Sequence, residues 1–251
     1  MSKIHLTAAL PTFANSNIIW LQLESLCRQE CNLNWELIIS EEQGVEGMFG
    51  EAGLSEFRER LVLAGCKKIK YIPLEKRLPL SKKWWLMAQY SEGESYALCG
   101  SDDYSSPDRF ELSHSILQKG YDWFNIKKGL FLNVQTMHTG TFVAENIKRG
   151  LTMCTQTSLV KNIKDTNWPT SSVDGWLQQK MSNFYQHEEN VAGLDTDGSN
   201  IICSGRRILY SDKHWSQCFI PPEQVIEDIL PQSIIDKIKT TKFFYPERFI
   251  N

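Results

Sequence analysis

Apolar and polar positions alternate with period two at the start of the chain. Ile4, Leu6, Ala8 and Leu10 are interleaved with His5, Thr7 and Ala9. That is the pattern of a strand, and Pro11 ends it. Asn15, Ser16 and Asn17 then offer a helix N-cap. Ile19, Leu23 and Leu26 follow at helical spacing, with Trp20 and Cys27 widening the stripe. Trp35-Glu36-Leu37-Ile38-Ile39 predicts a second strand, ending in Ser40-Glu41-Glu42. After a Gly-containing loop over 43–53, Ser55 caps a predicted helix carrying Phe57, Leu61 and Ala64, which Gly65 terminates. Ile69-Lys70-Tyr71-Ile72 reads as a third strand stopped by Pro73. Ser81 caps a helix through Tyr90, and Gly93 ends that segment. Tyr96-Ala97-Leu98-Cys99 is a fourth strand. It runs into Gly100-Ser101-Asp102-Asp103.

Strands alternating with helices over the first hundred residues predict an α/β fold, a mostly parallel sheet flanked by helices. Right-handed crossovers then bring Thr12, Glu41 and Asp102 to one edge of the sheet, although they are far apart in sequence. Beyond Asp103 the regularity fades. Ser106 and Pro107 start a helix running to about residue 119. Strands are predicted over 121–126, 129–134 and 139–144, and helices over 158–163, 173–181 and within 221–239. This reads as an α+β second half on the same sheet. There is no internal repeat or clear linker, so the expectation is one domain over 1–251, with a first half over 1–105 and a second over 106–251.

Composition narrows the class. Of 251 residues, 41% are hydrophobic and 23% charged, as in soluble globular chains. No apolar run approaches the roughly 18 residues that span a bilayer, and Met1-Ser2-Lys3 leads straight into a strand, so the expected location is cytoplasmic. The seven cysteines are scattered, with no CxxC pair, which argues for reduced thiols and against a zinc site. A net charge of −3 gives no global field for nucleic acid.

The chemistry concentrates at Asp102-Asp103. Carboxylates just past a buried strand sit where open α/β sheets bind ligands, and two hard oxygen donors suit a divalent cation. The competing reading is a solvated turn capping the Pro107 helix. Lys82 and Lys83 begin the helix before this strand, where helix dipole and side-chain charge both favour phosphate; alternatively they form a solvated first turn with Trp84 and Trp85 packed inward. Arg206 and Arg207 are candidates to clamp a diphosphate, or belong to a basic edge strand.

Three segments, in order and spacing, resemble the nucleotide-binding half of a family-two inverting glycosyltransferase of the GT-A fold. Leu10-Pro11-Thr12-Phe13-Ala14-Asn15 resembles that family's "Pro-Thr-Tyr-Asn" strand end. Trp35-Glu36-Leu37-Ile38-Ile39-Ser40-Glu41-Glu42 resembles "Trp-Glu-Leu-Ile-Val-Val-Asp-Asp". Gly93-Glu94-Ser95-Tyr96 through Ser101-Asp102-Asp103, then Pro107-Asp108-Arg109, resembles the metal-binding signature. Together they cover about residues 4 to 115. The resemblance implies a GT-A, Rossmann-like mixed sheet with a nucleotide-sugar-binding first half and an acceptor-binding second half. It implies that Pro11, Thr12, Phe13 and Glu41 line the base and ribose, that Asp102 approaches the ribose, and that Asp103 holds Mn²⁺ or Mg²⁺ on the diphosphate. Two positions depart from the family: Glu41 where Asp is usual, and Gly100 where Asp is frequent.

In the second half, Ser172-Val173-Asp174-Gly175-Trp176-Leu177 resembles the family's "Glu-Asp…Trp-Leu" segment, which makes Asp174 the general base. His214 would add the C-terminal metal ligand found in many GT-A enzymes. The implied reaction is inverting sugar transfer from a nucleotide-diphospho-sugar to a hydroxyl acceptor, by default a saccharide or lipid-linked saccharide. A hydroxylated DNA base is the lesser alternative, motivated by basic clusters beside aromatics. Two other classes stay open: a nucleotidyltransferase on a similar scaffold, and a non-catalytic nucleotide-sugar-binding protein. No Walker loop, G-x-G-x-x-G or G-x-S-x-G element supports an NTPase, dehydrogenase or serine hydrolase.

Overall fold

A computed structural model describes residues 2–13, 17–126, 128–132, 139–143, 151–164, 167–169, 173, 176–177, 191–194, 201–203 and 230–241. The first four strands are β1 (Leu6–Pro11), β2 (Trp35–Glu42), β3 (Cys66–Leu74) and β4 (Ser95–Leu98). Helix α1 (Ile19–Leu26) joins β1 to β2, α2 (Gly50–Ser55) and α3 (Arg58–Leu63) lie between β2 and β3, and α4 (Leu80–Tyr90) joins β3 to β4. Beyond β4 come β5 (Asp103–Tyr104), α5 (Arg109–Leu117), β6 (Trp123–Ile126), β7 (Lys128–Leu132), β8 (Thr139–Val143), β9 (Leu151–Gln156), α6 (Thr157–Lys161), β10 (Val191–Leu194), β11 (Ile201–Cys203) and α7 (Gln232–Thr240).

The main sheet has seven strands in the order β10-β6-β9-β4-β1-β2-β3. Strands β1 to β4 are mutually parallel, and β9 runs antiparallel to both β4 and β6. Every residue of β1, β2 and β4 is buried, because both faces of the sheet are covered. Alternate residues enter different cores. Leu6, Ala8, Leu10, Leu37, Ile39, Ala97 and Cys99 join the layer under α1, α3, α5 and α7. Ala9, Ile38, Tyr96 and Leu98 join the opposite layer, with Trp84, Met87 and Ala88 of α4 and Val160 of α6. Helix α7 closes the first layer through Ile234, Ile235 and Ile238, each worth roughly 1.5–3 kcal/mol on burial. Its Lys237 ammonium lies 4.3 Å from the Trp20 ring centre on α1.

The chain winds outward from β1 through β2 to β3, then crosses back through α4 to place β4 on the other side of β1. The crossover changes face at that point, so a crevice opens beyond the carboxyl ends of β1 and β4.

Several elements differ from the sequence pattern. Strand β3 begins at Cys66 and runs through Pro73, which an edge strand tolerates because its missing N–H leaves no inner ladder bond unmade. Ser81 lies inside α4, whose N-cap is Pro79, and its hydroxyl instead donates to the Pro169 carbonyl at 2.9 Å. A helix, α2, starts within the expected loop, and Ser55 ends it. The second half does not lie on one sheet with the first. Strands β6, β9 and β10 do, but β5, β11, β7 and β8 form a separate four-stranded sheet. The pattern over 121–134 reads as two neighbouring strands; Lys127 alone separates β6 from β7, and each pairs in a different sheet.

Candidate active site

The crevice edge is built from the ends of three strands and the start of α4. At the end of β1, the Thr12 amide donates to the Ser40 carbonyl at 2.9 Å, the last bond to β2. The Thr12 carbonyl accepts from Lys83 Nζ at 2.7 Å, and the same ammonium meets Glu42 Oε2 at 2.6 Å. Glu42 Oε1 accepts from the Leu78 amide at 3.2 Å. One buried ion pair therefore fixes β1, β2, the β3–α4 loop and the first turn of α4 together. Desolvation lowers the Lys83 pKa, and the Glu42 hydrogen bond opposes that shift. Lys83, proposed from sequence as a phosphate contact, is 4% exposed and spends its donors on these two partners. Phe13 lies beside them: the Arg77 guanidinium carbon is 4.6 Å from its ring centre and Lys83 Nζ 5.8 Å.

Glu41 is fully buried. Its Oε1 accepts from the Phe49 amide at 2.9 Å, and its Oε2 accepts from the Gly50 amide at 2.9 Å and the Tyr71 hydroxyl at 2.7 Å. The carboxylate thus caps the start of α2, where negative charge is favoured, and holds the loop that precedes it. Burial and the Glu41 charge both push the Tyr71 phenol up.

Of the aspartate pair, Asp102 lies on the turn after β4 and Asp103 opens β5. The pair does not cap α5, whose N-cap is Asp108. Gly100 is the key neighbour: a methyl group added there would lie 2.3 Å from Asp103 Oδ2 and 2.8 Å from Cγ. The Asp103 carboxylate therefore occupies the space that a side chain at 100 would fill. Behind the turn, Arg109 is buried and donates to the Leu98 carbonyl at 2.6 Å and Ser105 Oγ at 2.7 Å. From α1, Gln22 Nε2 donates to Ser105 Oγ at 3.2 Å, and just beyond α1 Gln29 Nε2 donates to the Ser106 carbonyl at 2.7 Å. The turn is braced on two sides, which restricts the positions the carboxylates can take.

Two observations test whether a metal-bound nucleotide fits here. Thr12 Oγ1 is buried at the end of β1 with no hydrogen-bond partner, an unmet group that a ribose or base atom would satisfy. Gly100 clears the space that Asp103 needs to present its carboxylate. Among the described residues no three His, Cys, Asp or Glu side chains converge on one point. The Asp103 carboxylate with diphosphate oxygens is nonetheless a suitable donor set for Mg²⁺, which binds through one or two carboxylates plus phosphates. The residues fit the group.

Asp174, Arg206 and His214 lie outside the described residues. Two described neighbours of Asp174, Val173 and Leu177, are buried in the second core layer. Strand β11 pairs Ile202 with Asp103 and Ile201 with Tyr104, antiparallel, so it ends at Cys203 beside the aspartate turn. Glu42, Arg109, Gln22 and Gln29 carry no role in the sequence reading. The doubled carboxylate of Ser40-Glu41-Glu42 was the available signal for Glu42. Gln22 and Gln29 act through tertiary contacts 83 and 77 residues away in sequence, whereas Arg109 bonds Ser105 and Leu98, 4 and 11 residues away.

No protein-family model matches the sequence, and neither does any curated protein. Solved structures do. S. aureus TarS 1–349 in complex with UDP-GlcNAc aligns at TM-score 0.64 and 17% identity, over 94% of this chain and 70% of that one. Against a longer TarS chain the coverage is 94% and 42%, so this chain spans less than half of that protein. Mannosyltransferase PcManGT from Pyrobaculum calidifontis in complex with GDP-Man and Mn²⁺ aligns at TM-score 0.56 and 11% identity, over 95% and 70%. Glucosyl-3-phosphoglycerate synthase from Mycobacterium tuberculosis in complex with Mg²⁺ and UDP aligns at TM-score 0.52 and 11% identity, over 88% and 81%. The chain has the GT-A fold.

Proposed function

We propose that this chain is a metal-dependent inverting glycosyltransferase that moves a sugar from a nucleotide-diphospho-sugar to a hydroxyl acceptor. The observation that carries the reading is the braced aspartate turn at the β1/β4 crevice, with the Asp103 carboxylate seated on Gly100 and the unmet Thr12 hydroxyl just past the end of the neighbouring strand β1. The GT-A neighbours, with UDP-GlcNAc, GDP-Man and Mn²⁺, or UDP and Mg²⁺, support a nucleotide-sugar donor.

In this reading residues 1–105 bind the donor and 106–251 the acceptor. Pro11, Thr12 and Phe13 line the base and ribose, and Asp102 approaches the ribose. Glu41 shapes the base pocket through the Phe49–Gly50 backbone it holds. Lys83 acts on the donor through the Thr12 carbonyl that it positions. Asp103, with His214, would hold Mn²⁺ or Mg²⁺, which would supply charge neutralisation of the leaving diphosphate. Arg206 contacts the same phosphates. Asp174 takes the proton of the acceptor hydroxyl as its oxygen bonds to the anomeric carbon. The bond from that carbon to the diphosphate breaks, and the nucleoside diphosphate leaves with the electron pair.

The nucleotidyltransferase alternative calls for a Gly-rich basic loop after β1. The connection from Pro11 to Ile18 contains no Gly, Lys or Arg. Asp174→Asn tests the reaction. It retains folding and donor affinity and lowers transfer by about 10²–10⁴-fold, the usual worth of a general base. Wild-type turnover in that variant removes the base assignment.

A further inference from the structure

Strand β3 is the last strand of the main sheet. It bonds to β2 on its inner side, and no described strand bonds to its outer side. Helix α3 lies beside the start of this strand. Its Leu61 is buried, while Val62 is 57% and Leu63 81% exposed. Both line a groove of about 450 Å³ between α3 and residues 66–69 of β3, with Cys66 and Ile69 on the strand side. Arg58, Lys67 and Lys68 bring cations to the same groove, against the carboxylate of Glu59. Lys68 pairs with Glu92, but Arg58 and Lys67 have no carboxylate partner among the described residues. The groove lies at the amino end of β3, away from the crevice at the carboxyl ends of the parallel strands.

A lone exposed leucine needs no explanation, but this pair borders an open strand edge. The two faces of that edge differ. Ile69 and Tyr71 pack against the layer under α3. Lys68 and Lys70 reach the other face, where Lys68 meets Glu92 and Lys70 the Tyr90 carbonyl at the end of α4. A strand laid along the outer side of β3 meets apolar groups on one face and ammonium groups on the other. The free N–H and C=O groups of the edge supply its main-chain bonds. A segment alternating apolar and acidic residues matches both faces at once. Other occupants fit less well. A second copy paired through the same half of β3 sets Lys67, Lys68 and Lys70 against their own counterparts, and like charges facing across strands are destabilising. A lipid surface cannot bond the backbone groups of an open edge.

We propose that the outer edge of β3 and the α3 groove dock an extended acidic segment of a partner protein, which adds to the sheet as a further strand with its apolar residues on Val62 and Leu63. The proposal is independent of the reaction at the crevice. The probe is a labelled peptide of about eight residues alternating Glu and Val, a strand's length, titrated with the wild-type chain and followed by fluorescence polarisation. Wild type binds it, and added salt weakens the binding. Leu63→Asp and Lys67→Glu each lose about tenfold or more in affinity. Both positions are exposed, so the thermal midpoints of the variants stay near wild type. The same peptide N-methylated at alternate residues, on the side that would face the edge, loses binding because its main-chain donors are gone. A Lys–Val peptide that binds as tightly, equal binding by Leu63→Asp, or no binding by wild type overturns the proposal. Self-association without peptide binding, abolished in Leu63→Asp, overturns it in favour of a second copy. Sedimentation with phosphatidylserine vesicles on the same terms overturns it in favour of a membrane.

Discussion

The Asp103 carboxylate lies directly on Gly100, close enough that a single methyl group at position 100 would come within 2.3 Å of Oδ2. Here the missing side chain is the condition for the Asp103 position.

Gly100→Ala follows from this. The clash is with the end of a side chain, so Asp103 swings aside and folding stability changes by less than about 1 kcal/mol. Affinity for Mn²⁺ in the presence of nucleotide falls about tenfold or more, because the carboxylate leaves its place. Calorimetric titration of Mn²⁺ with UDP present reads the loss. Unchanged metal affinity would separate Asp103 from the cation.

Lys83 and Glu42 form a buried pair at 2.6 Å under the β1 strand end. Lys83→Met leaves Glu42 buried without its cation, which typically costs 3–5 kcal/mol, on the order of an ordinary domain's reserve. Removing both charges in Lys83→Met with Glu42→Leu recovers most of that loss, because the uncompensated charge is gone. Urea unfolding of the two variants decides it. A mild single mutant would mean that the pair does not brace the crevice.

At the opposite end of the strands, His114 Nδ1 lies 2.8 Å from Ser95 Oγ and its ring is 5.7 Å from that of His5. Burial, and then His5, lower the His114 pKa below its usual value. The folded state binds this proton more weakly than the unfolded state. Stability is therefore full above about pH 6.5 and declines as pH falls below it toward the lowered folded value. His114→Gln flattens that part of the profile. Denaturant melts between pH 7.5 and 5 provide the check, and an equally steep profile in the variant would assign the dependence to other groups.

How much of this was legible in the chain depends on where the determining contacts lie. Strands β1, β2 and β4 and helices α1 and α4 carry local periodicity, and their order places Thr12, Glu41 and Asp102 on one edge. Strand β9 carries none. Met153 and Cys154 are buried in opposite core layers, so both faces are apolar and no alternation appears. The two-residue β5 and the three-residue β11 are too short to have a period, and their pairing beside Asp103 is purely tertiary. The aspartate pair was visible as chemistry. Its brace by Gln22 and Gln29 was not, because those hydrogen bonds depend on the packing of α1 and the residues just after it against the turn.

The central claim is a metal-dependent nucleotide-sugar site built on Asp103. Thermal unfolding with UDP- and GDP-sugars, with and without Mn²⁺, tests it most directly, in wild type and in Asp103→Asn. At a hundredfold excess over Kd the right donor adds about 2.7 kcal/mol, a rise of a few degrees in Tm. The account predicts that rise only with metal, and only in wild type. Equal stabilisation without metal, or in Asp103→Asn, would contradict it.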